Sequence, residues 1–211
     1  MSPTAAHKQR NHRLLEVMAV LLLGIATIGT AWCGYQASRW NGEEGDLSRQ
    51  ASDLQVEAGR QFGLATQTVS YDSNVVAQYA GALAAGDVKL QDFIRTALVR
   101  PAFLPVLDEW RRQVAAGETP TNLLSDPEYV DAQLGPYRAT AAQAADKADK
   151  SDDAGENGDA YVLTTVLLAA ALFFAGLTTS FRVRFAQLLL LAGSTVLIGY
   201  AAARLSGLPV T

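Results

Sequence analysis

Two apolar runs, residues 161–181 and 185–204, are separated by only residues 182–184. Each run has about the 20 residues that a helix needs to cross a hydrocarbon core about 30 Å thick. So short a joint leaves one arrangement for two spanning helices, an antiparallel hairpin. The joint carries Arg182 and Arg184 and no acid, which by the positive-inside rule puts it in the cytoplasm. Both outer ends of the hairpin then face the other side of the membrane, and the chain before residue 161 must reach that side too.

The N-terminal end satisfies this demand. Residues 1–13 form a polar tail with Lys8, Arg10 and Arg13, and a third apolar run follows at residues 14–35, interrupted only by Glu16. The basic flank places the tail in the cytoplasm, in agreement with the arginine joint. A cleaved signal peptide is the competing reading, since Gly29-Thr30-Ala31 resembles a cleavage site and would release the chain after Ala31. The length of the run and the aromatic residues after it favour an uncleaved anchor. The expected fold is therefore an all-α membrane protein. It has one N-terminal transmembrane helix (14–35), an extracytoplasmic helical bundle (36–160) and a C-terminal transmembrane hairpin (161–181 and 185–204), ending in an extracytoplasmic tail at 205–211. The expected location is the inner (cytoplasmic) membrane, multi-pass, with a cytoplasmic N-terminus.

Trp32, Tyr35, Arg39 and Trp40 follow the first span and suit the headgroup level, where amphipathic rings keep one end apolar and the other wet. They are the candidate residues for a membrane interface or a partner contact. Small residues recur every four positions in each span: Ala26, Thr30, Gly34 and Ser38; Ala171, Ala175 and Thr179; Thr195, Gly199 and Ala203. Such stripes let helix backbones approach closely in lipid. No Asp, Glu, Lys or His lies deep in any span, and Gln187 lies near an end, which weighs against an ion or proton pathway.

Charge separates along the chain. Residues 36–160 hold 20 acids against 11 bases, while the remainder holds Glu16 against six bases. An acidic middle does not suit nucleic acid, whose phosphates attract clustered Lys and Arg. The two histidines, His7 and His12, lie in the N-terminal tail, and Cys33, the one cysteine, lies in the first span. The helical domain thus has neither residue, which removes His- and Cys-based catalysis and the common zinc sites, and no phosphate-binding glycine motif occurs. Carboxylates remain. Asp108-Glu109 beside Trp110 and Arg111-Arg112 is the densest mixed cluster, but neighbours on a helix point about 100° apart, so an amphipathic helix with a charged face explains it. Asp152, Asp153, Glu156 and Asp159 match no calcium loop and read as a solvated linker. No catalytic residue, cofactor or metal is expected.

Between the spans the apolar spacing is helical. Leu47, Ala51, Leu54, Ala58, Phe62, Ala65 and Val69 form a narrow, Ala-rich stripe that lets a neighbouring helix come close. The helix can break at residues 59–63 or at Asp72-Ser73-Asn74, and Ala85-Gly86-Asp87 is the expected stop. Short helices are expected over 88–99 and 103–114, then a loop at 117–127. Asp126-Pro127 caps a further helix, Gly135-Pro136 interrupts it, and Ser151 to Asp159 is expected as a flexible joint.

Several of these segments carry a resemblance. Ala31-Trp32-Cys33-Gly34-Tyr35-Gln36-Ala37 with Trp40-Asn41-Gly42-Glu43, then Ala84-Ala85-Gly86-Asp87, Arg100-Pro101-Ala102-Phe103 with Trp110, and Asp159-Ala160-Tyr161-Val162-Leu163 running into Leu172-Phe173-Phe174-Ala175-Gly176 resemble an uncharacterised family of small bacterial membrane proteins. Residues 133–149 depart from it into generic Ala-rich sequence. The resemblance implies the same layout of spans and carries over no activity, cofactor or catalytic residue. The expected role is a structural or interaction component of the cell envelope, or a ligand-sensing accessory to one. It would sit in the lipid bilayer and act through a membrane-protein partner or a homo-oligomer. The alternative is an oligomeric channel or transport-accessory subunit, with Thr27, Thr30, Thr164, Thr165, Ser194, Thr195 and Tyr200 supplying polarity.

Overall fold

The structure is a computed structural model. It describes residues 3–118, 126–178, 180–181 and 183–211, with side chains from residue 15 onward. The described residues are all-helical: α1 (Pro3–Ala84), α2 (Val88–Phe93), α3 (Leu104–Ala115), α4 (Pro127–Thr178) and α5 (Arg184–Leu205), with a π-helical turn at Ile94–Leu98 and a 3-10 turn at Pro101–Phe103. Three helices, α1, α4 and α5, contain segments long and apolar enough to cross a membrane. The chain divides into two compact units, one made of Met1–Ser48 with Ala148–Thr211 and the other of Arg49–Lys147.

α1 runs without interruption through both expected break points. Gly59 and Gly63 are tolerated inside it, and Asp72, which looked like a cap, is a buried ion-pair partner. The stop falls where it was expected. Gly86 has φ +68°, Gly86 N donates to Leu83 O at 3.1 Å and Asp87 N to Ala82 O at 3.0 Å, a Schellman closure that glycine enters without steric cost. Asp87 then caps α2 by accepting from Leu90 N at 3.0 Å. Gly117, at φ +74°, ends α3 in the same way. At the start of α4, Asp126 accepts from Tyr129 N at 2.9 Å and Pro127 opens the helix. Residues 119–125 of the expected loop lie outside the described residues.

Two expectations are corrected on α4. Gly135-Pro136 does not interrupt it. A proline normally pushes the preceding residue out of helix by clashing with its Cβ, and Gly135 has none. Ser151 to Asp159 is helix, not a flexible joint. Ser151, Ala154 and Gly158 are buried three and four residues apart, and these small side chains bring α4 against α1. Ser151 Oγ donates to Glu44 O at 3.0 Å, and a Cβ added to Gly155 would lie 3.1 Å from the Glu44 carboxylate. The acids of this stretch stand on the exposed face.

In the first unit, Ala26, Cys33, Ala37, Tyr161, Leu168 and Ala201 form the core. α4 and α5 pair antiparallel. Ser194 Oγ donates to Ala171 O at 2.9 Å, and Gln187 Nε2 donates to Phe181 O at 2.8 Å, closing the turn. Ala171 and Ala175 of the second stripe are buried, and Thr179 lies outside the described residues. Gly34 and Ser38, and the whole Thr195, Gly199, Ala203 stripe, are exposed instead; the buried faces run through Ala19, Ala26 and Cys33 on α1 and Leu191, Ser194 and Ala201 on α5. Residue size alone did not choose the face; on α5 the buried face is the one that carries the Ser194 bond.

In the second unit α1 and α4 are also antiparallel. Ala51, Ala58 and Ala65 are buried seven residues apart, the repeat of a coiled-coil seam. Phe62 packs on Tyr137 with ring centroids 5.2 Å apart, and Thr140 Oγ1 donates to Gln61 Oε1 at 2.9 Å. Beyond this seam α2, the two turns and α3 close a core of Val75, Tyr79, Ile94, Val99, Phe103, Leu107 and Tyr129.

Candidate functional site

Two charged assemblies lie in the second unit. The first is built on Asp72, which is 1% exposed. Arg100 donates to it through Nε at 3.0 Å and Nη2 at 2.6 Å, and Tyr129 Oη donates to Oδ2 at 2.8 Å. The π-helical turn ends at the extended Val99, and Arg100, which precedes Pro101, is extended as well, at ψ 140°, with its side chain on Asp72 of α1. Burial first, and then the bond to Asp72, pushes the Tyr129 hydroxyl well above the ordinary tyrosine range, so it stays a donor. Every strong acceptor of Asp72 is engaged, and the assembly ties α1, the Pro101 turn and α4 together.

The second assembly lines a cavity of about 480 Å³. Asp108, on α3, accepts from Arg95 Nε at 3.1 Å and Nη2 at 2.8 Å, and from Arg111 Nη1 at 3.3 Å. The Arg95 guanidinium holds the Asp108 carboxyl below the usual carboxylate range. Arg111 also lies 5.8 Å from the centroid of the Tyr79 ring, a cation–π contact. Arg112 lines the same cavity and pairs with Glu109. Leu83, Val114 and Ala115 form its apolar wall. The two adjacent carboxylates thus diverge, each tied to an arginine three residues on, as a charged helix face requires. Arg95, thirteen residues before Asp108, gave no signal in the sequence, and neither did the Asp72, Arg100 and Tyr129 grouping.

The interface candidates lie in the first unit. Trp32 and Tyr35 are exposed, with ring centroids 6.0 Å apart. Arg39 is exposed beside them. Trp40 turns inward: its Nε1 donates to Pro209 O at 3.2 Å, and Tyr161 Oη donates to the same oxygen at 3.0 Å. Thr211 N and Oγ1 both donate to Gln36 Oε1, at 3.3 and 2.9 Å, so residues 209–211 are pinned across α1 and α4. Arg184 is exposed at the start of α5. Lys8, Arg10, Arg13, His7, His12 and Arg182 lie outside the residues whose side chains are described. Among the described residues no group of three or more His, Cys, Asp or Glu side chains is placed to hold a metal. The chain matches no protein-family model, no curated protein and no solved structure.

Proposed function

We propose that this chain is a multi-pass membrane protein of the bacterial inner membrane, with the Arg49–Lys147 unit as an extracytoplasmic interaction module and no catalytic activity of its own. The observation that carries the membrane reading is apolar surface without a protein cover. Only 17%, 28% and 22% of the three apolar segments of α1, α4 and α5 is buried, and Val20, Ile28, Phe173 and Val196 are among their exposed side chains. Soluble proteins seldom leave extended apolar segments this open to water; in lipid they need no cover. The orientation rests on Lys8, Arg10, Arg13, Arg182 and Arg184.

The interaction role is supported by where the charges go. Asp72 and Asp108 are taken up by arginines of other elements and Glu109 by Arg112 of its own helix, so these acids are occupied within the unit. The protein works through a membrane-protein partner or a second copy, and the exposed Trp32 and Tyr35 of the first unit are its candidate contact residues. The resemblance to an uncharacterised family of small bacterial membrane proteins belongs to the same proposal. The channel or transport-accessory alternative is the weaker reading. Thr27, Thr30, Thr164, Thr165 and Thr195 all donate back to carbonyls of their own helices and Ser194 bonds across the hairpin, so six of the seven polar residues are engaged within the bundle, while Tyr200 is exposed.

Two measurements test this. With Cys33→Ala as background, a cysteine at the exposed Val88 should react with a membrane-impermeant maleimide on intact cells; protection until the inner membrane is opened overturns the orientation. Crosslinking in native membranes should capture a partner or a dimer. Recovery of the chain alone, as a monomer, at every spacer length overturns the interaction role.

A further inference from the structure

The cavity beside α3 reverses the sign of the unit that contains it. Between Arg49 and Lys147 there are 12 acids and 9 bases, yet the cavity is lined by Arg95, Arg111 and Arg112 against one lining acid, Asp108, while Glu109, not among the lining residues, pairs with Arg112. Arg95 and Arg111 share the Asp108 carboxylate, and Asp92 acts on Arg95 through space. Arg95 uses Nε and Nη2 on it and keeps its Nη1 donors, and Arg111 keeps Nε and Nη2. The geometry is held before any ligand arrives. Arg95 is fixed by a two-pronged bond, Arg111 by Asp108 and the Tyr79 ring, and α3 sets the spacing of Arg111 and Arg112. Leu83 of α1 and, one turn along α3 from Arg111, Val114 and Ala115 supply the apolar part of the lining, and Gln91, whose Nε2 donates to Ala82 O at 3.3 Å, completes it.

We infer that this cavity binds a small organic acid, its carboxylate taken by the free donors of Arg95, Arg111 and Arg112 and its apolar body laid on Leu83 and Val114. A guanidinium fork matches a carboxylate in shape as well as charge. The volume, about 480 Å³, falls in the range of small-molecule sites. The apolar wall is what separates an organic acid from an inorganic anion, which would leave that wall wet. The inference goes beyond the interaction role and does not depend on which side of the membrane holds the unit.

Titration calorimetry on the full chain in lipid nanodiscs, at constant ionic strength, provides the test, with benzoate, acetate and inorganic phosphate as probes. Benzoate should saturate, and bind about tenfold more tightly than acetate because its ring covers the wall. Arg112→Gln should weaken benzoate about fivefold. Glu109→Gln, which releases Arg112 from its pair, should tighten it. Lys89→Gln, an exposed charge off the cavity, should leave it unchanged. Absence of saturation, or unaltered binding in both cavity variants, overturns the site. Saturation by phosphate that benzoate cannot displace overturns the organic-acid assignment. If Arg112→Gln loses helicity by circular dichroism, Glu109→Gln decides, because it removes only an exposed carboxylate.

Discussion

Tyr129 donates its hydroxyl to Asp72 at 2.8 Å across 57 residues of chain, and Arg100 closes the other side of the same carboxylate. The first turn of α4 is thereby fastened to the C-terminal part of α1. Removing the carboxylate leaves a guanidinium and a phenol facing no acceptor. Asp72→Ala should cost about 3 kcal/mol, at the low end for a broken buried pair because the Arg100 side chain is 32% exposed and can rehydrate. The triple change Asp72→Leu, Arg100→Leu, Tyr129→Phe removes all partners together and should cost less than Asp72→Ala alone. Urea unfolding of the solubilised chain, read from Trp110 with Trp32→Phe and Trp40→Phe as background, measures both; a triple variant weaker than the single one refutes the account.

The same hydroxyl sets a pH dependence. Its pKa in the fold is raised above the ordinary tyrosine value of about 10, so the folded state holds its proton after the unfolded chain has lost it. The contribution is complete below about pH 10 and is lost as pH rises toward the folded value, at up to about 1.4 kcal/mol per pH unit. Tyr129→Phe should be less stable than the parent at pH 8 by about 1 kcal/mol. That gap should narrow above pH 10, since the phenylalanine variant lacks this loss. Parallel stability curves for the two proteins from pH 8 to pH 11 would contradict the assignment.

Much of the helical layout was legible because it is local. Gly86 and Asp87 mark the end of α1 and the start of α2 by backbone requirements that a few residues express. The Ala-rich seam was legible as a stripe, since a helix displays its period in sequence. What was not legible is long-range. Asp72 within Asp-Ser-Asn reads as a local cap, and nothing near it announces Arg100 or Tyr129. Ser151 to Asp159 misled for another reason: its acids dominate composition, but burial is decided by Ser151, Ala154 and Gly158 on the opposite face. The arginine cavity combines both cases, since Arg111 and Arg112 announce themselves and Arg95 does not.

Pro136 lies inside α4, where its missing N–H leaves the carbonyl of Ala132 without its usual donor. A proline in a helix interior is about 3 kcal/mol worse than alanine. Pro136→Ala gives back part of that figure, because the unfolded chain also gains freedom worth about 1 kcal/mol and Gly135 has already relieved the local clash. The variant should be more stable by about 1–2 kcal/mol, seen as a higher unfolding midpoint of the solubilised chain. A neutral or destabilised variant would mean that the helix is in fact interrupted there.

Gly158 tests the close approach of α4 to α1 within the first unit. A Cβ added there would overlap Asn41 Oδ1 and reach within 3.6 Å of Trp40 Cβ. The first neighbour is the free end of a flexible side chain and can rotate away; the second is fixed to the backbone. Gly158→Ala should therefore be close to neutral, the displacement of Asn41 offsetting the gain of about 1 kcal/mol that alanine brings to a helix interior. Gly158→Ile has no such outlet. It must push the helices apart, and it should cost 2 kcal/mol or more, on the order of other overpacked cores. Separation would also stretch the nearby bond from Ser151 to Glu44 O. Unfolding in a titration of SDS against a mild detergent, followed by far-ultraviolet circular dichroism, ranks the two variants. Equal tolerance of alanine and isoleucine would show that the two helices do not meet at this position.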